Sequence, residues 1–512
     1  MRRLLVFLLT ISALLAGIIY ADSGSYKFSK HADPSIGVNR DPDLPRGDCS
    51  QCHIQHNPDT PFDFALFTEA DNGACLSSGC HEYEYQWPPG DFHWSYPGNV
   101  PDWYNSGHGA SSSLFPPGTG REVRLCVQCH NPHGAGDSLN GVYPSATSYL
   151  EEKGCYSSNG ISGQGCHGMN SSYRPTGAAD IYSQLLKLSR HDVESAAKVH
   201  SSDWQLSLPY GREPRTTNSG YFTGSNRHVE CVDCHNPHKA TSEAHAPGTN
   251  QIGGPLLGLW GVEPSSVGPW NTPTSFSVVD FTSIRESREY QLCYKCHSYY
   301  AFGNTPPTGY SDIAREFNPA NESYHPMQDT VRTNSYTSPT TANGFVETME
   351  PPWDNGLHDL MTCSDCHASE TESDPRGPHG SNYAYILIGS PSTTDVEFCT
   401  RCHKASIYAP ISDPGFGETG SRFDEQTTGN HGASHYFHVR ESGYGCRQCH
   451  GARQNPPPSM PEQRTPYAVE LGSAHGSNAF SGLLNGANIN LYSPGSCTPT
   501  CHGKQTYIAG PE

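Results

Sequence analysis

The 20 cysteines of this 512-residue chain fall into ten consecutive pairs, and the second member of every pair is followed at once by a histidine. Seven pairs have a two-residue gap: Cys49/Cys52 with His53, Cys126/Cys129 with His130, Cys231/Cys234 with His235, Cys293/Cys296 with His297, Cys363/Cys366 with His367, Cys399/Cys402 with His403 and Cys446/Cys449 with His450. Three are wider: Cys75/Cys80 with His81, Cys155/Cys166 with His167 and Cys497/Cys501 with His502. With 27 His in 512 positions, a His follows any given residue by chance about 5% of the time. Ten out of ten is then a coincidence of order ~10⁻¹³ for a disulfide framework. Structural zinc needs four ligands per ion and would not demand a His after every second Cys. The spacing suits covalent haem attachment, in which two thiols add across the two haem vinyl groups and the adjacent His is held beneath the iron as an axial ligand. The expected cofactor is therefore haem c with its iron, ten per chain. At Cys155/Cys166 the long gap must loop outward; the alternative there is attachment through Cys166 alone.

Each iron needs a second axial ligand. The ten proximal His leave 17 others, whereas only six Met exist, so bis-His ligation is the expected state. Such irons carry electrons and offer no open position for a substrate. Taken two at a time, the sites form doublets that open with a regular CxxCH and close with a more variable one. Between the two sites of each doublet lies a further His: His56, His133, His238, His379 and His475. In the first three it follows the proximal His by three residues, so it cannot reach the opposite face of the same haem and is expected to bind a neighbouring one. Five more candidates lie upstream of the doublets: His31, His108, His228, His358 and His431. His191, His325, His435 and His438 are substitutes, while His93, His200 and His245 read as surface or packing residues.

The elements that must position these groups are short. Hydrophobic residues make up 34% of the chain, below the roughly 45–50% of ordinary domains. Gly and Pro together reach about 18%, which favours turns over long helices and broad sheets. The mature length leaves about 49 residues per haem, too few to bury each cofactor in a domain of its own. The expected fold is mostly irregular coil with short α-helices and few β-hairpins, the polypeptide wrapped around a stacked chain of c-type haems. Its divisions are residues 1–21 as a signal peptide and doublets at 22–100, 101–175, 176–310, 311–412 and 413–512, one continuous haem-packed unit rather than independent domains. One amphipathic segment is expected from about Ala179 to His200, with Ile181, Leu185, Leu188 and Val193 near one face. The Pro-rich stretches 245–275 and 302–356 read as long surface loops.

The net charge of −20 argues against a nucleic-acid groove and against docking on anionic lipid. The N-terminus places two arginines before an apolar run from Leu4 to Ile19 and then Tyr20-Ala21, the pattern of a secretory signal cut after Ala21. No later stretch could cross a bilayer, and no cysteine precedes Cys49 to carry a lipid anchor. The expected location is periplasmic or extracellular, at the cell surface.

The CHIQHN, CHNPHG and GPHGS strings with the paired sites resemble the multihaem cytochromes c with doubled CxxCH motifs, over residues 31 to 502. CSQCHIQHN near the mature N-terminus also looks like the start of filament-forming surface cytochromes. The resemblance implies an electron carrier that acts as a long-range conduit. Its partners would be other redox proteins or extracellular electron acceptors; the second likeness adds self-association into filaments as a further option, with His31 the candidate to complete a haem of the next subunit. Ten sites and irregular gaps depart from the hexahaem filament type. A different class, a multihaem oxidoreductase with one open-coordination haem, would be favoured by a CxxCK site, and there is none. The Cys155/Cys166 site is the one place where such a centre would fit; no other catalytic residue is expected.

Overall fold

The computed structural model describes residues 38–53, 100–114, 122–129, 155–158, 161–193, 231–269, 271–307, 310–321, 324–329, 349–354, 360–390, 396–412, 435–443 and some shorter pieces. The chain forms two compact units, one of the residues up to Tyr182 with Pro237–Thr241, the other containing Ser183–Lys198 and most of the chain from Glu213 onward. Residues 1–21 lie outside the described residues. Among the described residues, no helix is long and apolar enough to cross a membrane.

In the first unit, α1 (Val100–Asn105) leads into the turn that carries His108. A two-residue hairpin, β1 (Ser157–Ser158) with β2 (Ile161–Ser162), stands between Cys155 and Cys166.

The second unit contains a ribbon of β3 (Ser189–Arg190) and β6 (Gly380–Ser381), the one-turn helix α2 (Cys231–Cys234), and a hairpin of β4 (Trp260–Pro264) and β5 (Phe276–Asp280). The longest described helix, α3 (Glu289–His297), packs on β4 and is followed by α4 (Tyr299–Phe302) and α5 (Ile313–Glu316). Contact is close because position 261 is glycine: a Cβ there would lie 2.6 Å from the Gln291 carbonyl carbon. Toward the C-terminus, β7 (Asp424–Glu425), β8 (Asn488–Asn490), β9 (Gly495–Thr498) and β10 (Gln505–Ile508) form an antiparallel sheet in the order β7-β10-β9-β8.

The apolar interior of the second unit sits under α3. Trp260, Val262, Tyr290, Tyr294, Tyr300 and Ala314 form one buried cluster, with Cys363 packed against it. Ile252, Leu259, Phe281 and Leu292 form another, against which Cys234 packs, and Ala301 and Phe302 cover Cys296. The scarce hydrophobic residues are thus concentrated where cysteine turns need a floor. This corrects the reading of 245–275 as a surface loop: Ile252, Leu259, Trp260 and Val262 are buried, and Gly and Pro serve the hairpin's turns. Within 302–356, Ala314, Tyr324 and Met327 are buried too.

The amphipathic segment expected from Ala179 also differs. Helix occurs only at Tyr182–Leu185, Leu185 is buried, and Leu186 and Leu188 are exposed. The chain then turns into β3, because pairing with β6 and the bonds of Lys187 outcompete a marginal helix. Residues 194–200 lie outside the described residues.

Candidate haem attachment sites

Each described CxxC is a single helical turn. Three-residue turns begin at Cys49, Cys126, Cys363 and Cys399, while Cys231–Cys234 and Cys293–Cys296 lie on α2 and α3. The second cysteine ends each three-residue turn, its N–H donating to the carbonyl of the first: Cys52 to Cys49 and Cys129 to Cys126 at 3.1 Å, Cys366 to Cys363 and Cys402 to Cys399 at 3.2 Å. The turn is closed by the backbone N–H of the following His, which donates to the same carbonyl: His53 to Cys49 at 2.9 Å, His235 to Cys231 at 2.9 Å, His367 to Cys363 at 2.8 Å and His403 to Cys399 at 3.0 Å. The first and second cysteine are thereby held on one side, with the His beside them. In the first turn Cys49 is exposed and Cys52 half-buried, and the Asp48 carboxylate caps the turn by accepting from the Ser50 N–H at 2.9 Å.

The long-gap site reproduces this closure. The His167 N–H donates to the Cys155 carbonyl at 2.7 Å, as if the eight extra residues were not there. They are set aside as the β1/β2 hairpin, and the N–H groups of Gly163 and Gly165 both return to the Tyr156 carbonyl, at 2.9 and 3.0 Å. Gly163 has φ +82°, a left-handed turn that glycine makes without strain. Tyr156 is buried and stacks on Tyr182.

The imidazoles are oriented by carbonyls. Nδ1 lies 3.1 Å from the Ala179 carbonyl in His167, 3.0 Å from Pro255 in His235 and 2.7 Å from Tyr385 in His367. A carbonyl can only accept, so Nδ1–H donates and the Nε2 lone pair is left to face a metal, the usual tautomer lock of a ligating histidine.

Among the described residues, three histidines have rings close to proximal ones. His108 faces His167 with ring centres 6.1 Å apart, His379 faces His235 at 6.0 Å and His191 faces His297 at 6.2 Å. Two imidazole nitrogens sharing one metal, each at about 2 Å, set ring centres roughly 6 Å apart, so the spacing fits an iron between them. His108 is fixed by its Nδ1 contact of 3.2 Å to the Pro237 carbonyl and by the Gly107 N–H bond of 2.8 Å to Ala240. Gly109 lets the turn close over Trp103, since a Cβ there would lie 1.9 Å from the Trp103 carbonyl oxygen. Burial lowers the His108 pKa.

Thiols of successive sites are neighbours. Cys126 shares a hydrogen bond with Cys75, and this bond together with burial pushes its pKa far up. Cys129 lies near Cys155 and Cys166. In the second unit Cys234 lies near Cys293, Cys293 shares a hydrogen bond with Cys363, and Cys366 lies near Cys402. The Glu289 carboxylate and the sulfurs of Cys293 and Cys363 lie within 4.8 Å of one another. Glu289 accepts from the Ser364 N–H at 2.7 Å and from its hydroxyl at 2.8 Å, tying α3 to the next cysteine turn.

His245, read from sequence as a packing residue, belongs among the candidate ligands. Its Nδ1 lies 3.0 Å from the Gln251 carbonyl while its Nε2 is buried with no hydrogen-bond partner, the same disposition as the histidines above. Its sequence setting, SEAHAPG, resembles none of the other strings, so only the local fold reveals it. Of the remaining candidates, His238 packs edge-on to Trp103, and Tyr408 stands between His403 and His435. The His325 carbonyl accepts from the Met327 N–H at 2.8 Å, His438 packs on Phe437, and the His31 carbonyl accepts from Val38. Cys446 is described, and Cys497 lies on β9. Cys80, His81, His130, Cys449, His450, Cys501 and His502 lie outside the described residues. So do His56, His133, His228, His358, His431, His475, His93 and His200.

Residues 358–407 match the family model for the doubled CXXCH motif. The chain is similar to a cytochrome c-552 of Aliarcobacter butzleri (strain RM4018), 23% identical over 261 residues. That match covers 46% of this chain and 48% of the relative, about half the relative's length. No solved structure matches. The motif and the similarity support a multihaem c-type cytochrome that binds haem c covalently and transfers electrons.

Proposed function

We propose that the chain is an exported decahaem c-type cytochrome, a long-range electron conduit through bis-imidazole haems that serves acceptors outside the cytoplasm. The observation that carries this reading is the recurrence, among the described residues, of imidazole pairs whose ring centres lie 6.0, 6.1 and 6.2 Å apart. When bound, the haems supply one-electron chemistry, with no bond made or broken in a substrate. The chain's own residues hold the cofactors. Paired thiols fix position, carbonyls of Ala179, Pro255 and Tyr385 set the imidazole tautomer, and adjacent cysteine turns keep successive sites close. Those same carbonyl bonds and the local burial tune each iron's potential.

The alternative, an oxidoreductase with an open haem at Cys155/Cys166, requires an unoccupied face opposite His167. The His108 ring centre lies 6.1 Å from that of His167, which weighs against it. The test is carbon monoxide added to the reduced protein. A carrier in which every iron has two imidazoles leaves the spectrum unchanged, whereas an enzyme of this kind gives a carbon monoxide adduct amounting to one haem per chain.

A further inference from the structure

Two of the facing histidines come from one small ribbon. The β3/β6 ladder pairs Ser189 with Ser381 and Arg190 with Gly380. The next pair in that register is His191 with His379, joined by the His191 N–H to the His379 carbonyl at 3.3 Å. Residues directly opposite in an antiparallel pair project from the same face. From that face His379 meets His235 at 6.0 Å and His191 meets His297 at 6.2 Å. The two proximal histidines belong to consecutive sites that are themselves joined, since the Lys295 ammonium donates to the Asp233 carbonyl at 3.0 Å.

The ribbon has a dedicated anchor. The Lys187 ammonium, two residues before β3, donates to Ser369 Oγ at 2.6 Å, Glu370 Oε2 at 3.0 Å and Asp374 Oδ2 at 2.9 Å, all on the segment leading to β6. Its side chain is only 13% exposed, so this is a pinned cation rather than a solvated surface pair. Gly380 completes the fit, because a Cβ there would lie 1.9 Å from the Gln184 carbonyl oxygen.

We propose that the β3/β6 ribbon delivers the distal iron ligands of two successive haems, His379 to the Cys231/Cys234 site and His191 to the Cys293/Cys296 site. Lys187 is the positioning residue for both. This assignment rests on the bis-imidazole reading above. It makes the two haems a coupled pair: whatever moves the ribbon moves both distal ligands together, and the remaining sites are left alone.

The experiment uses the full haem-loaded chain and counts high-spin iron by electron paramagnetic resonance, with attached haem counted separately by pyridine haemochrome. High-spin haems already present in the parent protein would count against the bis-imidazole reading itself, not against the ribbon. Given a low-spin parent, His191→Ala and His379→Ala are each expected to produce one high-spin haem per chain, and the double variant two. The haem count stays unchanged and added imidazole restores low spin. Should an alanine variant fail to accumulate, His191→Met and His379→Met serve instead, each expected to show a thioether-to-iron absorption band in one haem. Lys187→Met and Gly380→Ala are expected to shift the midpoint potentials of two haems and no others. Variants at His191 and His379 that leave every haem low-spin without a thioether band would overturn the ligand assignment. A Lys187→Met protein with all potentials unchanged, or with more than two shifted, would overturn the positioning role.

Discussion

At the scale of single residues, carbonyls and carboxylates do the positioning that the cysteines alone cannot. Glu289 is the clearest case. Burial pushes its carboxyl pKa up, while the Ser364 N–H and hydroxyl work in the opposite direction. The group is held where α3 meets the Cys363 turn. Glu289→Ala leaves the buried Ser364 N–H without its acceptor, which costs about 1–3 kcal/mol. Denaturant unfolding of the haem-loaded protein should show that loss, and Glu289→Gln, which keeps an acceptor oxygen, should lose less. The cysteines and proximal histidines were legible in the sequence because covalent attachment fixes their spacing. Glu289 was not, since its partner Ser364 lies 75 positions away and no motif surrounds either residue. His245 was passed over for the same reason: a lone His between Ala residues carries no signature, and its tautomer lock to Gln251 exists only once the turn has folded.

At the scale of elements, the insertion at the fourth site shows that the closure of a turn matters more than the number of residues inside it. The His167 to Cys155 bond is already made beneath the β1/β2 hairpin. Removing the eight residues Ser157–Gln164 leaves Cys155-Tyr156-Gly165-Cys166-His167, an ordinary two-residue gap. That shortened chain should keep its haem count and its spin state, measured by haemochrome and electron paramagnetic resonance; loss of one haem would mean the hairpin itself is needed. Short helices at the cysteine turns and occasional hairpins follow from the high Gly and Pro content and were readable in advance. The β3/β6 ribbon was hidden, because two-residue strands have too few positions to show a period, and Leu185 with Leu188 imitates a helical stripe. The buried β4 strand was hidden as well, because it is buried almost throughout and shows no alternation.

At the scale of the molecule, neighbouring thiols order the sites within each unit as they are ordered in the chain. Cys75, Cys126, Cys129 and Cys155/Cys166 form one run, and Cys234, Cys293, Cys363, Cys366 and Cys402 form the other. The proposed conduit needs no large protein core, in keeping with the 34% hydrophobic content. For the partners of that proposed conduit, the net charge of −20 favours basic proteins. Electron transfer to a basic acceptor protein should slow as salt is raised, since the Debye length falls from about 10 Å at 0.1 M to about 3 Å at 1 M. A rate independent of ionic strength would show that docking is not electrostatic. The central claim is that every cysteine pair, regular or not, carries a haem. Intact mass of the mature protein with a pyridine haemochrome assay measures it directly: the account predicts ten covalently attached haems, and fewer than ten, whether the Cys155/Cys166 site stays empty or whole doublets are missing, would contradict it.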